Sequence, residues 1–397
     1  MILRSRGRRT DSASGQIQLL VLAPWGVAGG YSGPIVLQDR LLRTLIKKAN
    51  FSATVLYRDR GLAELPAWVA RPVPVVASPA ESFPKAAQVK WLLKTSFYIF
   101  WNRRRFDAVF LQGTYMLNCL PALFLSQRTR IIALPVVDGG DLTGKPKNIK
   151  GLVKKSLQSK LFNRTVLGIC LSTGIKNDFV EIGLPGESIR LAYNLVDTRI
   201  YCPGAKPTSL DDREFKLLFV GALGRRKQPH LVIEACAELR SSGIDASLSL
   251  VGPFEDAEYE SHLRQLIERL GLEKFVNIVG MTNHPLPYYQ EASVFLLPSR
   301  SEGMPGALSE AMACGVPVVV SPIGAMPEVV ESAQCGFVVK EFDSELWARV
   351  LEEMYRKPGL MQKMSAGGRR FAEYHMTPDA LAIDIRRFVS AERPQPH

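Results

Sequence analysis

The 397-residue chain has no histidine before His230, no Asp-x-Asp pair and no Cys-x-x-Cys pair. It also lacks any apolar run approaching the ~18 residues of a transmembrane helix. Each absence narrows the field. The six cysteines (Cys119, Cys170, Cys202, Cys236, Cys314 and Cys335) are scattered. That excludes a disulfide framework or a zinc site as the expectation, and a reducing cytosol is the natural home. The segment 1–16, MILRSRGRRTDSASGQ, is basic but has no apolar h-region. It is expected to be a flexible tail rather than a secretory signal. No short-period repeat occurs.

What is present is ordinary in bulk and uneven in charge. Hydrophobic residues make up 46% and charged residues 22%, as in a soluble globular protein of two or three domains. The formal net charge is +12. Residues 1–200 hold 29 Lys and Arg against 12 Asp and Glu, and the remainder of the chain holds 21 against 26. A basic half joined to a mildly acidic one suggests two domains with different partners.

The first half alternates short apolar runs with amphipathic stretches. Strands are expected at Ile17–Trp25, Ala53–Tyr57, Asp107–Gln112, Arg130–Val137 and Val166–Ser172. After the first strand comes GVAGGYSG, then a helix opening on Pro34 with Leu37, Leu41, Leu42 and Leu45 on one face. The second half repeats the theme, with strands at Phe215–Gly221, Ala246–Gly252, Lys274–Gly280, Ser293–Pro298 and Val316–Ser321. Helices fit between them, such as Gln228–Leu239 and Tyr259–Leu270. Such alternation implies α/β architecture with two doubly wound, Rossmann-like parallel sheets. Facing each other, they would leave a cleft at the carboxyl ends of their strands. The expected organisation is an N-terminal domain over 17–200, a Pro- and Gly-rich linker over 201–212, a C-terminal domain over 213–375 and a last segment from Met376.

Two stretches of the second half point to chemistry. In SEGMPGALSEAMACGVPVV (Ser301–Val319), Glu302 and Glu310 flank a turn holding Gly303, Met304, Pro305 and Gly306. A helix is expected to start near Pro305 or Gly306 and stop at Gly315. The glycines let backbone approach a ligand, and the free N–H groups of a helix start favour phosphate. Glu310 then lies just over one turn inside, suited to a pair of sugar hydroxyls, while Glu302 at the loop entrance addresses another polyol. The competing reading is a plain strand–turn–helix with two solvated glutamates. In GALGRRKQP (Gly221–Pro229), Arg225, Arg226 and Lys227 follow the first strand of the second half. Cations there can neutralise a diphosphate without metal, each charged hydrogen bond being worth roughly 1.5–3 kcal/mol. Taken alone, a basic turn is usually a solvated loop.

These residues resemble glycosyltransferase family 4, the retaining nucleotide-sugar transferases of the GT-B fold. The match is densest from Phe219 to Val339, where FVGALGRRK, LVGP, the run from VNIVG to PEVV, and CGFVV fall in the family's order. Glu302 and Glu310 match the two glutamates of the family's E-x7-E motif. The resemblance implies that Glu302 contacts the donor sugar near the reaction centre and that Glu310 holds the nucleotide ribose. It implies that Lys227 binds the diphosphate, and that Gly29 and Gly30 lie in a glycine-rich loop near sugar and diphosphate. It implies no metal and no other cofactor. The last segment, Met376 to Val389, would cross back to the first domain.

Three departures stand out. Ala222 occupies the place where the family usually has Arg, so Arg226 or Arg225 would substitute. The signature NGVD reads NLVD (Asn194–Asp197). Where the family generally has a histidine, in a stretch resembling HGSDL, this chain reads DGGDL (Asp138–Leu142). Asp138 either contacts donor sugar or acceptor as an anion, or caps a turn beside glycine. The missing histidine makes a non-catalytic nucleotide-sugar-binding protein one alternative to a hexosyltransferase, and a GT-B nucleotide-sugar epimerase is another.

The basic half points to the acceptor side. Lys90–Phe106 reads as a helix with Val89, Leu92, Leu93, Phe97 and Phe100 toward the core. Trp91, Lys94, Tyr98 and Trp101 form a second stripe with the composition of an interfacial helix. Lys147–Arg164 places Ile149, Leu152, Val153, Leu157 and Leu161 inward and six Lys and Arg elsewhere. Both suit an anionic membrane surface and a saccharide or lipid-linked acceptor made on the cytoplasmic face. Both also suit ordinary core helices with solvated lysines. No nucleic-acid-binding motif accompanies the charge, so nucleic acid is not an expected partner.

Overall fold

The computed structural model describes residues 15–24, 33–60, 65–78, 83–113, 116–134, 156, 158–162, 164–204 and 214–391. The chain forms two compact units. The first comprises Met1–Cys170, Gly174–Leu191 and Pro378–His397; the second comprises Leu171–Thr173 and Ala192–Thr377.

In the first unit, seven strands form one parallel sheet. They are β1 (Ile17–Ala23), β2 (Phe51–Asp59), β3 (Val69–Ala77), β4 (Ala108–Gln112), β5 (Arg130–Leu134), β6 (Val166–Cys170) and β7 (Ile189–Leu191), in the order β3-β2-β1-β4-β5-β6-β7. Every residue of β4, β5 and β6 is buried, which is why these strands read as unbroken apolar runs rather than alternating ones. The register of β1 against β4 runs from Leu19 opposite Ala108 to Leu22 opposite Leu111. Helix α1 (Gly33–Lys48) buries Leu41, Leu42 and Leu45 as its apolar spacing requires. Among the described residues the unit also holds helices α2 (Lys85–Asn102), α3 (Met116–Ala122) and α4 (Thr173–Glu181), helical residues at 156 and 158–162, and the chain's last helix, described below.

Helix α2 corrects the reading of its faces. Trp91, Thr95 and Ile99 are the buried residues, and the Trp91 indole N–H donates to the Leu117 carbonyl at 3.2 Å. Val89, Leu93, Phe97 and Phe100, expected against the core, are exposed, as is Trp101; Leu92 is half-buried. The helix is apolar nearly all round, so spacing offered two stripes. The bulkier indole with a buried hydrogen-bond acceptor took the interior. Of Lys147–Arg164, only residues 156, 158–162 and 164 are described. Leu161 is buried there and Lys160 exposed, while Ile149, Leu152, Val153 and Leu157 lie outside the described residues.

The second unit holds six parallel strands: β8 (Phe215–Val220), β9 (Ala246–Val251), β10 (Val276–Gly280), β11 (Val294–Leu297), β12 (Val318–Val320) and β13 (Gly336–Val338). Their order is β10-β9-β8-β11-β12-β13. The chain therefore runs outward from β8 to β10, returns to β11 beside β8, and runs out the other way. Between β8 and β11 lies the topological switch point, where loops at the strands' carboxyl ends part and α/β sheets bind ligands. The helices are α5 (Pro229–Ser241), α6 (Ala257–Arg269), α7 (Leu286–Glu291), α8 (Gly306–Ala313), α9 (Met326–Ala333), α10 (Ser344–Arg356) and α11 (Pro358–His375). Asp256 caps α6 and Asp343 caps α10 with side-chain acceptors, so both starts are written locally. Of the expected linker, 205–212 lies outside the described residues. Ahead of it, Arg369 donates to the Tyr201 carbonyl at 2.9 Å and Gln290 to the Cys202 carbonyl at 3.0 Å.

The last helix, α12 (Pro378–Ser390), belongs to the first unit and packs on α1. Lys48 pairs with Asp379 at 2.6 Å, and Arg386 donates to the Ala49 carbonyl.

Candidate functional site

The loops after β8 and β11 carry the two motifs, and they meet at the switch point of the second unit. The loop after β8 is held rigidly. Gly252 has φ +142°, and a Cβ on it would lie 1.9 Å from the Gly221 carbonyl oxygen. The chains after β8 and β9 thus touch backbone to backbone, which only glycine permits. Farther along, the Lys227 amide donates to the Gly224 carbonyl at 3.0 Å, and Gln228 adopts φ 52° before Pro229 opens α5. This turn aims Lys227 inward.

The loop after β11 delivers Glu302 to the same place. Lys227 Nζ and Arg226 Nη1 both bind Glu302 Oε1, the latter at 3.0 Å. Arg226 also donates to the Ser301 carbonyl at 2.6 Å, and the Arg300 amide donates to the Arg226 carbonyl at 2.9 Å. The Lys227 and Glu302 side chains are each only 11% exposed. A carboxylate so sheltered needs its charge matched, and two cations do so. Arg225 turns away, to Glu258 at 2.7 Å and the Tyr259 ring at 5.2 Å. Of the two arginines the sequence offered, Arg226 stands at the site.

Two further contacts fix the turn after Glu302. Gly324, at φ +61°, passes so close that a Cβ would sit 2.3 Å from the carbonyl oxygens of both Glu302 and Gly303. Next to it, the Ala325 amide donates to the Gly303 carbonyl at 2.8 Å. Buried Asn194 donates through Nδ2 to the Met304 carbonyl at 2.5 Å. Pro305 in extended backbone then starts α8 at Gly306, with no side chain capping its first amides. Those N–H groups and the helix dipole favour an anion.

Glu310 lies just over one turn into α8. The Tyr289 hydroxyl donates to its Oε2 at 3.1 Å. Tyr289 is fully buried; burial, then the Glu310 charge, hold its phenol well above the usual range, so it stays a donor. The Tyr289 ring meets Tyr201 edge-on at 6.0 Å. The two glutamates are thus differently furnished: one by cations, the other by a neutral hydroxyl.

The helix that follows Gly324 carries a further carboxylate that motif spacing did not single out. Glu328, in the first turn of α9, accepts from the Thr173 amide at 3.0 Å, the Thr173 hydroxyl at 2.6 Å and the Tyr193 hydroxyl at 2.7 Å. Burial opposes its ionisation, but these three donors outweigh it and hold the carboxyl below its usual range. The partners lie 155 and 135 residues away in sequence, so local spacing carries no trace of them. Tyr289 and Asn194 are equally unmarked: Asn194 stands within NLVD and Tyr289 within the run from VNIVG to PEVV, with no local signal of the contacts they make. Gly29, Gly30 and Asp138 lie outside the described residues. Among the described residues, no group of three or more His, Cys, Asp and Glu side chains is arranged to hold a metal ion.

The comparisons with known proteins fall on these elements. Residues 205–371 match the family "Glycosyl transferases group 1". The amylovoran biosynthesis glycosyltransferase AmsK of Erwinia amylovora is 29% identical over 200 residues, 48% of this chain and 48% of that protein. A D-inositol 3-phosphate glycosyltransferase of Arthrobacter sp. (strain FB24) is 28% identical over 223 residues, 54% of this chain and 51% of that protein. The chain spans about half the length of the curated relatives it matches. Among solved structures, Anabaena Alr3699/HepE in complex with UDP aligns with TM-score 0.70 at 19% identity, over 94% of this chain and all of that one. The chain thus has the GT-B fold, two Rossmann-like parallel-sheet units, and within its second unit the stretch 205–371 that matches the group 1 glycosyl transferases.

Proposed function

We propose that the protein is a retaining, metal-independent hexosyltransferase that uses a UDP- or GDP-sugar and a saccharide or lipid-linked acceptor, in cell-surface polysaccharide or glycolipid synthesis. The observation behind this is the meeting of Lys227, Arg226 and Glu302 at the β8–β11 switch point, with the open start of α8 and Glu310 following. The match of 205–371 to the glycosyl transferases supports it, as does the UDP held by the structurally similar HepE.

In this reading the diphosphate of the donor lies at the start of α8. Lys227 and Arg226 bind it, joined by the amides of the Gly303–Gly306 turn. The same cations hold Glu302, so an arriving diphosphate competes for them and leaves the carboxylate to accept from sugar hydroxyls. Glu310, steadied by Tyr289, accepts from the ribose hydroxyls. As the glycosidic bond to phosphate breaks, negative charge grows on the diphosphate. Lys227 and Arg226 stabilise that charge where it develops, which lowers the barrier. The leaving phosphate oxygen takes the acceptor hydroxyl's proton as the new bond forms on the same face of the sugar, so no protein base is required. Gly29, Gly30 and Asp138 are assigned to the sugar side of the site, and the acceptor to the N-terminal domain over 17–200. The donor domain is 213–375, with 201–212 as linker and 376–397 returning to the first domain. The protein works at the cytoplasmic face of the plasma membrane, bound peripherally through Lys90–Phe106 and Lys147–Arg164.

The test is a thermal-shift panel of UDP-, GDP- and ADP-sugars with chelator present, followed by product analysis with membrane extract as acceptor source. A shift with one nucleotide and a sugar product of unchanged anomeric configuration is the expected result. Absence of a shift with every nucleotide overturns the donor assignment.

A further inference from the structure

We propose that the outward face of α2 is a docking surface for an anionic lipid bilayer, inserting Leu93, Phe97, Phe100 and Trp101 at the level of the headgroups. The proposal deepens the reading above and rests on it for its purpose, the capture of an acceptor anchored in lipid.

The helix already has a core face. Trp91, Thr95 and Ile99 are buried, and α2 packs on α3 and β3. Its other face needs no apolar residue for folding, yet Val89, Leu93, Phe97, Phe100 and Trp101 are 55, 68, 66, 46 and 70% exposed. At about 100° per residue these five fall within roughly a third of the helix circumference. They form one patch: Trp101 meets Phe97 at 6.0 Å and Phe100 at 6.1 Å between ring centroids. Single exposed apolar side chains are ordinary, but a continuous stripe of large ones marks an interaction surface.

The charge around the stripe chooses the occupant. From Phe83 to Phe106 the chain has no acidic residue. Lys85, Lys90, Lys94, Arg103, Arg104 and Arg105 are all exposed. Lys90 and Lys94 lie at one border of the stripe, and the Arg103 guanidinium sits 5.0 Å over the Phe100 ring. Aromatic rings at the water–hydrocarbon boundary with cations reaching phosphates are the chemistry of an interfacial helix. A second copy of the chain is a poorer occupant. A two-fold contact would set this acid-free cationic border against itself. No helix among the described residues is long and apolar enough to cross a membrane, so the contact is one of lying on the surface.

The experiment is co-sedimentation of the full chain with vesicles of phosphatidylcholine alone, and of phosphatidylcholine with phosphatidylglycerol in equal parts. The wild type is expected to pellet with the anionic vesicles and to be released by salt. The exposed triple variant Leu93→Ser/Phe97→Ser/Trp101→Ser is expected to lose about tenfold or more in partitioning. Lys90→Gln/Lys94→Gln/Arg104→Gln is expected to lose binding and its salt dependence together. Quenching of Trp101 by brominated lipid, read as the difference from Trp101→Phe, reports insertion. Equal pelleting of the apolar triple variant and wild type overturns the proposal. So does equal binding to both vesicle types, or a lipid-free dimer that the triple variant makes monomeric. The nucleotide-sugar thermal shift is run on the same samples. Vesicle binding without any nucleotide shift leaves docking standing and the transferase reading fallen. A nucleotide shift without vesicle binding does the reverse.

Discussion

Glu302→Gln tests the proposed division of labour most sharply, because it should move binding and turnover in opposite directions. In the structure Lys227 and Arg226 both spend their charge on Glu302. Free UDP, which has a diphosphate and no sugar, must draw those cations away. Neutralising Glu302 removes the competitor, and one charge-assisted hydrogen bond is worth roughly 1.5–3 kcal/mol. Retaining the lower end gives UDP binding tighter by about tenfold. Turnover should nonetheless fall by about two orders of magnitude or more, since the carboxylate proposed to accept from the donor sugar is gone. Lys227→Met should do the opposite to UDP, weakening it by about tenfold or more. It should also destabilise the protein by about 2 kcal/mol, because a sheltered carboxylate keeps only one partner. The double variant should recover part of that stability. Calorimetric titration of UDP and urea unfolding of all four proteins measure the cycle. If Glu302→Gln weakens UDP as much as Lys227→Met does, the competition argument is wrong and Glu302 is part of the diphosphate cradle itself.

Other outcomes follow from individual contacts. Tyr289→Phe removes the hydroxyl at 3.1 Å from Glu310, and KM for the donor should rise by about tenfold with kcat nearly unchanged in steady-state kinetics. Gly324→Ala places a Cβ 2.3 Å from two carbonyl oxygens at φ +61° and should cost about 2 kcal/mol or more, seen as a lowered Tm. The Glu328 carboxyl, held below its ordinary value of 4.5, contributes stability that is present above that pH. That contribution is lost as pH falls through the folded value, so wild type should lose more unfolding free energy between pH 5 and pH 3 than Glu328→Gln does.

The sheets were legible because a parallel strand buried on both faces must read as an unbroken apolar run, as in β4, β5 and β6. Strand β3 was not, since Pro72 and Pro74 argue against a strand. It stands at the edge of its sheet, where prolines are tolerated. Strands β7 and β13, three residues each, are too short to announce themselves. At the candidate site, Glu302, Lys227 and Glu310 stand out in the sequence because each lies in a contiguous motif. Tyr289, Asn194 and Glu328 act across gaps of 21 to 155 residues, and nothing local marks such contacts. Helix α2 shows a different limit. Periodicity located the helix but pointed Val89, Leu92, Leu93, Phe97 and Phe100 inward, whereas the buried face is Trp91, Thr95 and Ile99, with the Trp91 indole bonded to the Leu117 carbonyl.

The return of α12 to the first unit has a consequence for how the protein comes to be folded. Its residues include buried Leu381, Ala382 and Ile385, and it lies against α1, which is made from residues some 330 positions earlier. On a ribosome the whole second unit is synthesised between the two. At about 5–20 residues per second that interval is roughly 10–40 s after β7 emerges. During it the nascent first sheet has one helix missing from its flank, with the side of α1 that α12 covers unsheltered. The second unit is continuous from Ala192 to Thr377 apart from three residues already made, so it can close as soon as it leaves the exit tunnel. The N-terminal half of the chain is therefore born first and finished last, and in the cell it is the half that a nascent-chain chaperone would attend.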